Sequence, residues 1–103
     1  MDLRIQKWDK PDPPGENELR DICLQEGLRP YSWSNSPGDT YPAHSHGYHK
    51  VIYVVSGSIT WILPEKGRVV ETTAGDRIDL PRGVLHAARV GDLGVKCLES
   101  HLD

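Results

Sequence analysis

From Leu28 onward, short stretches of alternating or β-branched apolar residues are broken every few positions by glycine or proline. Tyr31 and Trp33 alternate with serines. Val51–Val55 and Ile59–Leu63 are β-branched and aromatic, which favours strands. Val69–Thr72, Ile78 to Leu80, Val84–Val90 and Val95–Ser100 continue the pattern. Turns are predicted at Pro37-Gly38-Asp39, Ser56-Gly57-Ser58, Glu65-Lys66-Gly67, Ala74-Gly75-Asp76, Pro81-Arg82-Gly83 and Gly91–Gly94. Strands this short and evenly punctuated predict an all-β fold, a small antiparallel barrel or sandwich, over residues 28–103.

The start of the chain reads differently. Leu19, Ile22 and Cys23 follow helical spacing. Glu16 and Glu18 sit where a helix dipole favours acids, and Gly27 fits the left-handed position after a helix end. A short helix is therefore expected over residues 16–27, as a cover for the sheet. Residues 1–15 read as an arm, because Pro11, Pro13, Pro14 and Gly15 forbid regular helix. Within it, Leu3, Ile5 and Trp8 suggest an edge strand, on this subunit or a partner, or a ragged terminus with one packed Trp.

A chain of 103 residues has room for one domain. The net charge of −3 provides no electrostatic footprint for nucleic acid. No apolar run approaches the roughly 20 residues of a membrane span, and no charged start leads into an apolar core as a secretory signal would. With two cysteines, Cys23 and Cys97, the expectation is a reduced cytoplasmic protein. A domain this small buries a modest share of its surface, so a homodimer is expected.

Three of the five histidines fall within six positions: His44, His46 and His49. Two positions along a strand return to the same face, so His44 and His46 can grip one metal ion, while His49 points the other way. The frame around them is specific. Gly38 stands five residues before His44, and His46 is followed by Lys50 and then Gly57. Gly75 is followed by Pro81, Gly83 and His86. This resembles the paired motifs of the cupin superfamily, G(x)5HxH(x)3–4E(x)6G and G(x)5PxG(x)2H(x)3N, with eight of ten defining positions present. The resemblance implies a jelly-roll (double-stranded β-helix) barrel in which His86 joins His44 and His46 around one cavity. It also implies a divalent metal cofactor. Nitrogen donors suit Zn, Fe, Ni or Cu, with Mn also a candidate.

Two positions depart from the family pattern. Lys50 replaces the usual ligand glutamate, and Val90 replaces the asparagine. Four arrangements stay open at this point. Lys50 can swing outward, or point inward as an anion anchor. His49 can substitute for the glutamate through a strand distortion, or the site can hold no metal. Three neutral imidazoles and an inward Lys50 would make the cavity cationic, so a small anionic ligand is expected, with Lys50, Tyr48 and His49 as candidate contacts. Glu99 on the last strand is a candidate carboxylate for the cavity, and His101 reads as a solvated tail residue. Arg82 reads as a surface charge, Cys97 as a core thiol, and Tyr41, Tyr53 and Trp61 as packing aromatics. The resemblance implies either a metal-dependent enzyme of the dioxygenase type, acting on a small anionic molecule, or a non-catalytic binding or sensing domain.

Overall fold

The computed structural model describes residues 2–102. In chain order the elements are β1 (Arg4–Gln6), α1 (Glu16–Gln25), β2 (Tyr31–Asn35), β3 (Thr40–His44), β4 (His49–Leu63), β5 (Arg68–Thr73), β6 (Arg77–Leu80) and β7 (His86–Leu102). All strand pairs are antiparallel.

Two long strands organise the barrel. β4 pairs with β7 from His49↔Leu102 to Ile62↔Ala87, and both strands bend midway, so each serves two faces of the sandwich. The early part of β4 takes β6 on its other side, and β6 takes β1. The late part of β7 takes β2. Beyond the bend, β4 pairs with β5, and the early part of β7 pairs with β3.

The bend explains a difference from the sequence reading. Ser56-Gly57-Ser58 and Gly91–Gly94 do not end strands. They are corners within continuous strands, and the register slips on either side of Gly57. Gly57 has φ +77°, and a Cβ there would lie 2.0 Å from the Gly94 carbonyl oxygen. Only glycine lets the two corners nest.

The barrel interior is lined by inward residues of these strands, among them Ile52, Val54, Ile59, Trp61, Ile78, Leu80, Val90 and Cys97. A second apolar layer lies outside. There α1 sets Leu19 and Cys23 against Val51, Tyr53 and Leu98, the opposite face of β4 and β7. The helix is thus the expected sheet cover, and Gly27 does adopt positive φ. Tyr53 belongs to this outer layer, whereas Tyr41 and Trp61 face the interior.

The arm is not a ragged end. β1 pairs with β6 of its own chain, so the edge strand is completed without a partner. The Trp8 ring lies on Gly75, where a Cβ would come within 2.6 Å of the indole. Buried Asp76 accepts hydrogen bonds from the Trp8 backbone N–H and from Lys7 Nζ. Among the described residues, no helix is long and apolar enough to cross a membrane.

Candidate metal centre

His44 ends β3 and stands directly opposite His86 on β7, so the two rings leave one face of the ladder as cross-strand neighbours. Pro42, which cannot donate to a ladder, is tolerated because β3 is an edge strand. His46 lies past the strand end, in the 45–48 connection. The expectation that alternation along a strand aligns His44 with His46 is met in outcome but not in means. The connection is tied down when the Gly83 N–H donates to the His46 carbonyl at 2.9 Å. The Pro81-Arg82-Gly83 turn thereby positions the loop that carries His46.

The three rings converge, with candidate ligand nitrogens all within 4.8 Å of one another. Nδ1 of His44 donates to the Pro42 carbonyl at 2.7 Å, and Nδ1 of His86 donates to the Val84 carbonyl at 2.9 Å. A carbonyl only accepts, so Nδ1 carries the proton in both rings and Nε2 keeps a free lone pair. Nε2 of His46 is buried and has no hydrogen-bond partner among the described residues. Burial, and next the Lys50 charge, push the His46 imidazole down to about 4. Burial also lowers His86. Both rings are therefore neutral near pH 7 and available as ligands. An orphaned buried nitrogen beside two tautomer-fixed imidazoles is a donor set suited to a divalent ion.

Lys50 points inward. Its Nζ lies 3.3 Å from Glu99 Oε2, with side chains 14% and 5% exposed. The cavity beside the histidines has a volume of about 320 Å³, and its wall includes Lys50, Glu99, Trp33, Tyr41, Trp61 and Ile52. Glu99 is the group that sequence reasoning weighed least well. It accepts from Tyr31 Oη at 2.6 Å, Trp33 Nε1 at 3.0 Å and His101 Nε2 at 2.6 Å. Burial alone would raise its pKa, but Tyr31, His101 and Lys50 together hold it below the ordinary glutamate value. The cavity consequently contains an ion pair, not the uncompensated lysine the sequence suggested.

The remaining candidates separate clearly. His49 faces the opposite side of β4, where Nε2 meets Asp79 Oδ1 at 2.9 Å, so it does not stand in for the missing glutamate. Tyr48 lies between His46 and His101, with ring centroids 5.2 and 4.3 Å away. His101 is not a free tail residue, since it bonds Glu99 and stacks on Tyr48. Arg82 is exposed and Cys97 is buried in the core. Tyr31 and Trp33, which hold Glu99, were missed as site residues. Their available signal was position: they pair with Glu99 and Cys97 across β2 and β7.

None of the curated proteins matches the sequence. Solved structures do. A DUF861 family protein from Thermotoga maritima superposes with a TM-score of 0.71 at 14% identity, over 98% of this chain and 100% of that one. An RmlC-like cupin from Shewanella frigidimarina gives 0.62 at 26% identity, over 72% and 64%. The polyketide cyclase RemF from Streptomyces resistomycificus gives 0.62 at 27% identity, over 78% and 60%. Residues 33–99, which hold all three converging histidines together with Lys50 and Glu99, match the cupin domain family, and the chain belongs to that family.

Proposed function

We propose that the protein binds a divalent metal through His44, His46 and His86 and acts on a small anionic molecule in the adjoining cavity. The observation that supports this reading best is the orphaned Nε2 of His46, turned toward two imidazoles whose Nδ1 protons are already placed. A bound ion would supply a Lewis-acidic centre, redox-active if it is iron, with coordination positions left for a ligand. The chain's own residues do the rest. Pro42 and Val84 carbonyls hold two rings in the ligating tautomer.

A second reading is a binding or sensing domain without turnover. It is favoured by the state of the acids in the wall, since Glu99, Tyr31 and Tyr41 are all engaged in hydrogen bonds. Each of them already has a partner within the protein. Association as a homodimer belongs to the proposal too, and light scattering of the purified protein tests it.

Elemental analysis of freshly purified protein, beside a folded His44→Ala/His46→Ala control, tests the metal. Stoichiometric metal in the wild type and none in the control is expected. Equal metal in both, or none in either, overturns the reading. Oxygen uptake by the Fe(II)-loaded protein with small carboxylates then separates turnover from stoichiometric binding.

A further inference from the structure

The polar atoms of the cavity wall are divided unequally. Trp33 Nε1 is spent on Glu99, and Trp61 Nε1 donates to Thr72 Oγ1 at 3.0 Å. The Tyr31 hydroxyl is spent on Glu99 and the Tyr41 hydroxyl on Asn35. Both carboxylate oxygens of Glu99 are occupied. The aromatic walls therefore offer a ligand ring surface and no free donor, beside the aliphatic Ile52, Ile59 and Ala88. Unspent donor or metal-ligating capacity remains at two places in the wall: the free Nε2 atoms of the histidines and the ammonium of Lys50. An ammonium has three N–H donors, and Glu99 is the only side chain within ion-pair distance of it among the described residues.

We infer that the cavity is built for a small carboxylate with a flat apolar body, its anionic end held between the three-histidine centre and Lys50 and its body lying against Trp33 and Trp61. The inference deepens the proposed function and rests on that reading for the metal's share of the binding. About 320 Å³ is the space of roughly ten waters, enough for one ring and one carboxylate. A body that turns its own acceptors to the aromatic walls finds no free donor there, at a cost of about 1–3 kcal/mol for each acceptor left unpaired. Glu99 sets this specificity as a positioning residue. It keeps Lys50 at the cavity wall and pins the Trp33 indole through Nε1. Tyr31 and His101 hold Glu99 in turn, so it cannot turn away with the lysine.

Trp33 and Trp61 make the test direct, because a ring seated on them changes intrinsic fluorescence. Benzoate, benzamide and acetate are titrated into the metal-loaded protein by fluorescence and calorimetry, with metal content measured on the same samples. Benzoate is expected to bind about tenfold or more tightly than neutral benzamide, as the loss of a charge-assisted bond implies. It is also expected to bind about tenfold or more tightly than acetate, which lacks the ring. Lys50→Met is expected to erase most of the preference over benzamide. Glu99→Gln is expected to reduce that preference while the protein stays folded.

Benzamide or acetate binding as tightly as benzoate overturns the inference, as does a preference for benzoate over benzamide that Lys50→Met leaves undiminished. The comparison of the three probes in the wild type needs no variant to fold. If the protein takes up no metal yet still prefers benzoate through Lys50, the ligand class stands and the metal reading falls. If metal-loaded protein shows no preference, the ligand class falls and the metal reading stands.

Discussion

Lys50 and Glu99 meet at 3.3 Å inside the barrel, two positions removed from direct opposition on β4 and β7. Ile52 stands opposite Glu99 and Lys50 opposite His101, so the contact is a diagonal one across the ladder. Lys50 stands at the glutamate position of the cupin motif, and a carboxylate on another strand, Glu99, holds it there.

Removing one member of such a buried pair leaves the other uncompensated. Glu99→Ala is expected to cost about 3–5 kcal/mol, since it strands Lys50 and frees the donors of Tyr31 and Trp33. Lys50→Met is expected to cost less, because Glu99 retains three other donors. The double variant Lys50→Met/Glu99→Ala should fall short of the sum by more than about 0.5 kcal/mol, the usual limit of additivity between independent sites. Urea unfolding of the four proteins measures the coupling. Additive losses would show that the two charges do not sense each other.

Asp79, on the outer face, governs part of the acid response. Burial works to raise its pKa, but Arg77 and His49 more than offset this and leave it below the ordinary aspartate value. A depressed folded-state pKa contributes stability above the unfolded value of about 3.9, and that contribution fades as the pH falls through the lower folded value. Asp79→Asn should therefore be less stable than wild type at about pH 7, with the gap narrowing below about pH 4. Urea midpoints across that range report it, and a gap that stays constant would count against the Asp79–Arg77–His49 cluster as its source.

The corner glycines provide a contrast at one backbone conformation. Gly57 and Gly38 both have φ +77°, but a Cβ at Gly38 meets nothing within 4 Å, whereas at Gly57 it strikes the Gly94 carbonyl. Gly38→Ala should cost about 1–2 kcal/mol, the strain of a left-handed residue alone. That corresponds to a fall in Tm of about 4–8 °C per kcal/mol in a domain of this size. Gly57→Ala should lose about twice as much or fail to fold, because the two corners must separate. Similar losses at both positions would mean the nested corner does not constrain the barrel.

These residues also show how far the sequence could be read. Glycine and proline punctuation was enough to predict a small antiparallel barrel or sandwich, since turns are local demands, whereas the grouping of His86 with His44 and His46 came from the resemblance to the cupin motifs. Period-two alternation was enough to send His49 to the outside. The partner of Lys50 was not legible, because it depends on the register between two strands almost fifty residues apart. Glu99 carried one usable sign: a charged residue continuing the inward alternation of Val95 and Cys97. The continuity of β4 and β7 through their glycines was likewise hidden, because glycine ends a strand in one setting and bends it in another.

His46 links stability to metal most directly. Its buried, unpartnered Nε2 is a liability in the metal-free protein, where an unsatisfied buried polar atom costs about 1–3 kcal/mol. His46→Leu removes that atom while keeping an apolar side chain in the space, so metal-free His46→Leu should equal or exceed metal-free wild type in Tm. The order should reverse when metal is added. A divalent ion at about one hundred times its Kd stabilises the form that binds it by about 2.7 kcal/mol, a rise of roughly 10–20 °C in Tm. His46→Leu should lose most of that rise. Thermal unfolding of both proteins, stripped with chelator and then reloaded, gives all four values. A metal-dependent rise of equal size in the two proteins would place the ion elsewhere. A large loss of stability in metal-free His46→Leu would show that Nε2 has a protein partner after all.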